Sequence, residues 1–315
     1  MNNDKSHVAP DETIAAAVAA AMTNESVVSA SRLTTGEQNF VFSVKTTISE
    51  YVIRMTYMQY KDKFSSALYW QNKLIPLGVP LARFIHTDLD ARHSSFASVL
   101  MHKLPGDDLI NIYSQLSDTQ KMNLAHEIVT IQHSVNSLPE GRGFGFVGRY
   151  EDEPAFHSWY DFMLSRIEIA MNKIKDMGVF DVNSLSVIYS IAKELETDLR
   201  AVHAKPFMWD TSERNVIINQ GKISGIVDVD DMCFGDSLFV LALTYVALEL
   251  FGHDTVYTDY WADLLKLDAN ARLRLTFYRL CYILWFMRKY NLTSHNQQAI
   301  IFDAQRLNDM FKKLL

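Results

Sequence analysis

Short runs in which apolar and polar residues alternate occupy the first sixty positions. Residues 27–33, 40–46 and 51–56 are rich in β-branched and aromatic side chains, and polar turns separate them. This pattern is typical of strands, so it predicts an antiparallel meander. Before it, the Ala-rich run 14–22 predicts a helix that begins after Pro10.

The next segments extend this small sheet. Residues 63–74 have apolar side chains at intervals of three and four, which predicts a helix that ends at residues 77–80. Two further strand-like runs follow, at 81–86 and 96–101. The first hundred residues therefore predict a sheet with one helix packed against it.

Beyond residue 106 the pattern changes to long helices, predicted at 118–135, 157–177 and 183–203, with a strand-rich interruption at 207–231. The predicted fold class is α+β. We expect an N-terminal lobe with a small antiparallel sheet, a hinge, and a large, mainly helical C-terminal lobe. Their predicted bounds are 1–101, 102–106 and 107–315. A cleft between two lobes is a common place for a small ligand.

Composition narrows the class of protein. Of 315 residues, 48% are hydrophobic and 21% are charged, and the formal net charge of -7 argues against a nucleic-acid partner. Cys233 and Cys281 do not suggest a disulfide framework or a zinc site. No apolar run reaches the ~18 residues of a membrane span, and acidic residues precede the Ala-rich run where a signal peptide has basic ones. We therefore expect a cytoplasmic protein with no membrane partner, and the sequence leaves its oligomeric state open.

The strand-rich interruption contains the polar residues most suggestive of chemistry. Asn215 follows Asp210 by five residues, and Asp228 lies thirteen residues further on. The same Asp-x4-Asn spacing occurs twice elsewhere in the chain, but within helical patterns. Here an apolar strand follows Asn215, residues 219–221 predict a turn, and a second strand returns to Asp228. Such a hairpin would bring Asn215 and Asp228 together at one end.

These side chains suit phosphoryl transfer. An amide oxygen and a carboxylate, from Asn215 and Asp228, can hold Mg²⁺ against the phosphates of a nucleotide. Asp210 can orient the attacking hydroxyl group and accept its proton. Asp230 faces the same side of its strand as Asp228 and is a candidate ligand of a second ion. The alternative is that these acids are only turn and cap residues.

The segment resembles the active site of the aminoglycoside phosphotransferase and choline kinase superfamily, which is itself similar to protein kinases. That family has His-Gly-Asp-x4-Asn, then Ile-Asp-(Trp/Phe)-(Glu/Asp), then Gly-Asp-Pro. The corresponding stretches here are Met208-Trp209-Asp210 with Asn215, Val227-Asp228-Val229-Asp230, and Gly235-Asp236-Ser237. The resemblance covers about residues 28–250. It implies a protein-kinase-like two-lobed fold and an ATP-dependent, Mg²⁺-dependent phosphotransferase, with GTP as an alternative nucleotide.

The resemblance also assigns the nucleotide to the N-terminal lobe. Gly36 and Asn39 correspond to a short phosphate-covering loop, and Arg54 to a basic residue that reaches the α- and β-phosphates. The backbone near His102 and Leu104 corresponds to the hinge that hydrogen-bonds adenine. The alternatives are a plain hairpin turn, a surface arginine on a strand, and a strand that leads into a turn.

The acceptor is expected in the helical lobe, beside Asp210. Asp231, Asp236, Trp159 and Trp285 are candidates to line it. The acids would favour an aminoglycoside or another amino-bearing alcohol, and the aromatic rings would suit an ammonium group through cation–π contacts. The alternative for the aromatic residues is helix core. Macrolides, choline-like alcohols, amino acids such as homoserine, and sugars all remain open.

Two features of the sequence depart from the family pattern, and a third suggests a dinucleotide site that its context does not support. Met208-Trp209 replaces the family's His-Gly, which predicts a repacked loop. The helix at 63–74 offers no glutamate to pair with Arg54, so the sequence leaves that partner unassigned and keeps an inactive nucleotide-binding module as an alternative function. Residues 143–148 match the Gly-x-Gly-x-x-Gly dinucleotide fingerprint. No strand-to-helix context is predicted around them, so we expect a plain loop.

Overall fold

The architecture is described for residues 9–33, 39–290 and 304–315 of a computed structural model. The strands are β1 Val27–Leu33, β2 Phe40–Thr46, β3 Glu50–Tyr57, β4 Phe84–Asp88, β5 Phe96–His102, β6 Asp107–Asp108, β7 Gly145–Val147, β8 Pro206–Phe207, β9 Val216–Asn219, β10 Lys222–Ile226 and β11 Met232–Phe234. The helices are α1 Glu12–Thr23, α2 Asp62–Leu74, α3 Leu109–Ile112, α4 Asp118–Asn136, α5 Trp159–Met177, α6 Val182–Leu185, α7 Val187–Glu194, α8 Glu196–Arg200, α9 Leu238–Leu250, α10 Val256–Leu264, α11 Ala269–Arg288 and α12 Ala304–Leu314.

An antiparallel sheet with the order β1-β2-β3-β5-β4 forms the N-terminal part, as the alternating pattern predicts. Two helices pack on it, where the sequence predicted one against it. Ile53 and Met55 of β3 are in the cluster with α1, whereas Phe64 of α2 packs against the other side of the sheet. Because strand side chains alternate between faces, Arg54 points to the α2 side.

The C-terminal part is mainly helical and is built around α9 and α11, whose buried faces fill the largest hydrophobic cluster. The long helix predicted over 183–203 is wrong, because three short helices, α6, α7 and α8, occupy that stretch. Ser186 separates the first two, and its hydroxyl group donates to the carbonyl oxygen of Asn183 at 2.7 Å. Such a local bond competes with continuous helix.

A tight connection joins the two parts. After β5, the chain passes through Gly106 into β6, which pairs with β9 in a second sheet of order β10-β9-β6. Gly106 has a φ of 110°, and a Cβ atom there would lie 2.1 Å from the carbonyl oxygen of Ile218. Only glycine therefore fits this position without a backbone shift.

The hairpin of β9 and β10 has the predicted form. Its turn residues Gln220 and Gly221 both have positive φ, at 50° and 76°, which matches the two-residue turns that favour antiparallel strands. Across the described ranges, the helices are all too short or too polar to span a membrane.

Candidate active site

The predicted base lies on a loop between β8 and β9 that one buried side chain of α4 anchors. The amide nitrogen of Gln132 donates to the carbonyl oxygen of Met208 at 2.9 Å and to Oγ1 of Thr211 at 2.8 Å. Its amide oxygen accepts from the Met208 N–H at 3.2 Å. Gln132 thus supports the loop in which Met208 and Trp209 replace His-Gly. Sequence reasoning missed it, and its one signal is a polar residue on the apolar face of a helix.

Asp210 is held in this loop by short-range hydrogen bonds. Ser212 donates its hydroxyl proton to Oδ1 of Asp210 at 3.0 Å, and Nδ2 of Asn215 donates to the Asp210 carbonyl oxygen at 2.9 Å. Burial, together with the negative charge of Asp228, raises the pKa of Asp210 to about 6. The group is therefore mostly ionised at neutral pH, as a proton acceptor must be, with a pKa near the working pH.

The hairpin brings Asn215 and Asp228 to the same end, as the sequence predicted. The N–H of Val227 donates to the carbonyl oxygen of Asn215 at 2.9 Å, so Asp228 follows directly after the residue opposite Asn215. Asp228 adopts a left-handed backbone with a φ of 61°, which is uncommon for a residue other than glycine. That conformation turns the chain out of the hairpin and aims the carboxylate toward Arg54.

Arg54 forms the central ion-pair cluster. Its guanidinium group makes two hydrogen bonds to Asp230, at 2.9 and 2.7 Å, and one to Asp228 at 2.6 Å. The side chain is buried, and its guanidinium carbon lies 5.3 Å from the ring centre of Phe64 on α2. Burial acts to lower the pKa of Arg54, but the charges of Asp230 and Asp228 outweigh it and raise that pKa. These two acids thus take the place of the glutamate that α2 lacks.

The other residues predicted to bind the nucleotide have different surroundings. Nδ2 of Asn39 is 3.5 Å from Oδ2 of Asp230, and Gly36 lies outside the described residues. His102 is exposed and stacks on Tyr51, with 5.1 Å between ring centres. Leu104 packs against Gly225, where an added Cβ would lie 2.5 Å from the leucine Cδ1. The nucleotide roles of these residues stay predictions.

A cavity between the N-terminal sheet and the hairpin adjoins Arg54 and Asp228. Its volume is about 10 Å³, enough for one water molecule, so it must widen to admit a nucleobase. Most of its lining is apolar, as a nucleobase requires, and the hairpin contributes the residues next to Asp228. The lining residues are Arg54, Gln71, Leu81, Ala82, Phe84, Met101, Ile226, Val227, Asp228 and Val229.

The donor chemistry at the hairpin end fits magnesium better than a transition metal. Within the described ranges, no three His, Cys, Asp or Glu side chains group as a metal site. Mg²⁺ usually takes only one or two protein carboxylates, together with phosphate oxygens and water. Asn215 and Asp228 can supply one oxygen each. In this structure both carboxylate oxygens of Asp230 contact Arg54, so its metal role stays a prediction.

Of the predicted acceptor contacts, that of Trp159 is wrong, and Asp236 already has partners in the helical part. Trp159 is fully buried, and its indole N–H donates to the hydroxyl oxygen of Tyr278 at 2.8 Å, so it belongs to the core of the helical part. Asp236 accepts hydrogen bonds at 2.9 Å from both Arg274 and Tyr278, and its side chain is 11% exposed. Both bonds go to Oδ2, and Oδ1 accepts the Leu238 N–H at 3.1 Å, so the carboxylate joins α11 to the start of α9.

The other two predicted acceptor residues remain partly exposed. Burial raises the pKa of Asp231, and Lys63 opposes that effect. Trp285 lies under two guanidinium groups, with 4.1 Å from its ring centre to Arg166 and 3.4 Å to Arg288. Its aromatic face therefore already holds a cation of the protein itself, and its acceptor role stays a prediction.

The glycine-rich stretch at 143–148 forms no dinucleotide site. Its residues Gly145–Val147 are β7, which pairs antiparallel with β11, and a loop follows instead of a helix. The missing helix agrees with the expectation that the context of the fingerprint is absent, whereas the strand lies where a plain loop was expected.

Comparison with known proteins identifies one family model and several solved structures that are similar to the chain. The model of the phosphotransferase enzyme family APH matches residues 29–276. Aminoglycoside 2'-phosphotransferase-IIIa, in its GDP complex, superimposes with a TM-score of 0.71 at 14% identity over 96% of this chain and 99% of that one. A thermostable mutant of aminoglycoside phosphotransferase APH(4)-Ia gives a TM-score of 0.65 at 17% identity over 91% and 95%. No curated protein sequence matches the chain.

The fold is therefore the protein-kinase-like α+β fold of these phosphotransferases, as the resemblance implied. The family match covers most of the chain, and the protein belongs to the phosphotransferase enzyme family. This membership supports a nucleotide-dependent phosphotransferase whose acceptor is not established.

Proposed function

We propose that the protein transfers the γ-phosphoryl group of ATP to a hydroxyl group of a small molecule. The observation that carries this proposal is the convergence of Asp210, Asn215 and Asp228 at one end of a hairpin, where Asp228 contacts Arg54. A carboxylate with a pKa near 6, a metal-binding pair and a buried cation are the parts that phosphoryl transfer requires.

The chain's own residues account for the steps as follows. The hydroxyl oxygen of the acceptor forms a bond to the γ-phosphorus, the bond from that phosphorus to the β–γ bridging oxygen breaks, and ADP leaves. Asp210 orients the hydroxyl group and takes its proton. Arg54 offers N–H donors to the α- and β-phosphates, which requires it to exchange part of its contact with Asp228. Gln132 keeps the loop of Asp210 in place.

Asn215 and Asp228 would hold Mg²⁺. The ion, when bound, offsets the negative charge of the phosphates. GTP remains an alternative nucleotide, because solved structures of this fold include complexes with ADP and with GDP.

The acceptor class expected from the sequence was an aminoglycoside or another amino-bearing alcohol. One structure of the similar APH(4)-Ia is a ternary complex with ADP and hygromycin B. In the present protein, however, Trp159 is buried in the core and Asp236 is bonded to Arg274, which argues against two of the four contacts predicted for an ammonium group.

An inactive nucleotide-binding module is the second candidate. The observation that favours it is the closed cluster of Arg54 with Asp228 and Asp230, because a nucleotide with Mg²⁺ must open these ion pairs to bind.

Thermal unfolding with ATP and Mg²⁺, followed by an ATP-consumption assay over alcohols, separates the two candidates. We expect Asp210→Asn to lower turnover by at least ~100-fold while the nucleotide-induced rise in Tm is retained. Asp90→Asn, at an exposed turn, is the matched control. Undiminished turnover of Asp210→Asn would refute the assignment of the base. Binding without turnover in the unmodified protein would favour the inactive module.

A further inference from the structure

A guanidinium group surrounded by aromatic rings lies beside the catalytic loop. Arg166 of α5 has its guanidinium carbon 4.1 Å from the ring centre of Trp285 and 5.3 Å from that of Phe146. The rings of Phe162 and Phe239 lie 5.6 and 5.5 Å away. Within the described part of the chain, no carboxylate forms an ion pair or hydrogen bond with Arg166.

The absence of a counter-ion at this position is unusual. Arg166 is half-buried, and removing a charge from water costs free energy, so a cation in such a place normally faces a carboxylate. Arg54 has that arrangement with Asp230. The aromatic faces around Arg166 stabilise its charge, but they accept none of the five N–H bonds that a guanidinium group can donate. Burial lowers the pKa of Arg166, and the groups that oppose this effect are weak acids, a tyrosine and two cysteines.

A second polar group at the same place also lacks a partner. The hydroxyl oxygen of Tyr282, on α11, is buried and has no hydrogen bond to any part of the chain that is described. Burial raises the pKa of Tyr282, and the charges of Arg166 and Asp210 act on its hydroxyl group in opposite directions. Tyr282 therefore lies within electrostatic range of both the Arg166 guanidinium group and the base.

The aromatic rings around Arg166 continue to the loop that carries Asp210. The ring of Phe146 packs against that of Trp209, with 4.8 Å between centres, and Trp209 directly precedes Asp210. Phe146 is 37% exposed, and Arg166 and Trp285 are partly exposed. A small ligand bound at Asp210 can thus extend along Phe146 to Arg166.

We infer that the acceptor alcohol carries an oxyanion, a carboxylate or a phosphate group, that binds Arg166 and Tyr282 while its hydroxyl group lies at Asp210. This inference rests on the proposed function and narrows its substrate class. An oxyanion would satisfy both unpartnered donors and neutralise the guanidinium charge. An ammonium-bearing acceptor would instead place a like charge against Arg166, and the faces that could hold it by cation–π contact already hold this guanidinium group.

The first test compares alcohols that differ in charge and share a carbon skeleton. The three-carbon set is glycerate, glycerol 3-phosphate, glycerol and serinol, and the six-carbon set is gluconate, glucose 6-phosphate, glucose and glucosamine. We expect kcat/KM with ATP and Mg²⁺ to be highest for an anionic member, and the carboxylate and phosphate arms identify which oxyanion binds. A preference for serinol, glucosamine or the neutral members would overturn the inference.

The second test uses Arg166→Gln, with the exposed Arg92→Gln as the matched control. We expect Arg166→Gln to raise KM for the anionic acceptor by at least ~10-fold and to leave KM for ATP within about twofold, because the residue binds one substrate only. Tyr282→Phe, which keeps the ring, should raise the acceptor KM by about threefold. An acceptor KM in Arg166→Gln equal to that of the control would contradict the inference.

Binding of sulfate tests the same site without turnover. Trp285 lies 4.1 Å from Arg166, so its fluorescence reports a sulfate titration. We expect the dissociation constant to rise at least ~10-fold in Arg166→Gln and to be unchanged in Arg92→Gln. Equal binding in both variants, or none by the unmodified protein, would refute the anionic site. The Tm rise with ATP and Mg²⁺ is measured separately, since its absence would refute the proposed function instead.

Discussion

At the scale of single residues, the pairing of Arg54 decides how this site differs from the family pattern. The helix α2 places the ring of Phe64 beside Arg54, and the acids that pair with it come from the strand end at Asp228 and Asp230. Asp230 makes the two-pronged contact, so it fixes the orientation of the guanidinium group. We therefore assign Asp230 as the positioning residue of Arg54.

Replacing Asp230 by Asn should disturb both stability and nucleotide binding. The variant leaves a buried guanidinium group with one ionic partner, so we expect a loss of roughly 1–3 kcal/mol in the free energy of unfolding and a rise of about 10-fold in KM for ATP. Chemical denaturation and steady-state kinetics measure the two effects. The exposed pair of Asp90 and Arg92 supplies the control, because Asp90→Asn should change neither quantity. Identical behaviour of the two variants would contradict the assignment.

Glu213 makes the protein less stable as the pH rises, which is opposite to the usual effect of a carboxyl group that is paired in the folded state. The side chain is 2% exposed, its Oε2 atom is unpartnered in the described structure, and burial raises its pKa to about 7. Above pH 4.5 the unfolded chain releases this proton while the folded protein retains it. Stability therefore falls as the pH rises from 4.5 to about 7, and the loss is constant above that.

Glu213→Gln removes this penalty. We expect the variant to gain up to about 3 kcal/mol in the free energy of unfolding at pH 8 and much less at pH 5. Urea unfolding at both values, in EDTA and without nucleotide, measures the difference. A gain that is the same at pH 5 and pH 8 would show that the carboxyl group is not the cause.

At the scale of elements, local sequence patterns predicted the strands and the hairpin well. They did not predict contacts between residues that are far apart in the chain. The meander and the hairpin follow from alternation and turn chemistry within about ten residues, and the sequence therefore anticipated the meeting of Asn215 and Asp228. The pairing of Arg54 joins residues 176 positions apart, which no local pattern encodes. The prediction for Trp159 was wrong because an aromatic residue at a helix start gives the same sequence pattern whether it lies in a core or lines a pocket.

The connection at Gly106 is an element-level feature that substitution can test. Gly106→Ala meets the carbonyl oxygen of Ile218 at 2.1 Å, so we expect a loss of roughly 3 kcal/mol and a separation of β6 from β9. Gly178→Ala is the matched control, since its φ is also positive, at 66°, but no atom lies within 4 Å of the new Cβ. It should cost only about 1 kcal/mol. If both variants lost the same stability in thermal unfolding, the positive φ alone would explain the loss, and the contact with Ile218 would contribute nothing.

At the scale of the whole molecule, the ion pairs of Arg54 connect the N-terminal sheet to the hairpin of the helical part. The bridge from Leu81 to Ile226 and the hydrogen bond from the Ala82 N–H to the Ile226 carbonyl oxygen join the same two parts. A nucleotide that enters the cavity beside Asp228 must therefore exchange a protein ion pair for contacts with phosphate and metal. This exchange predicts that Mg²⁺ and nucleotide bind cooperatively through Asp228.

Asp228→Asn tests this coupling directly. The variant keeps the pair between Arg54 and Asp230, so we expect ADP without metal to raise Tm as much as in the unmodified protein. The additional rise on adding Mg²⁺ should disappear, because the amide that replaces the carboxylate is a weak magnesium ligand. Asp231→Asn, three residues further along, controls for loss of negative charge near the site and should retain the effect of Mg²⁺. If Mg²⁺ raised Tm equally in Asp228→Asn and in the unmodified protein, the ion would have to be held elsewhere, and the hairpin end would lose its role in phosphoryl transfer.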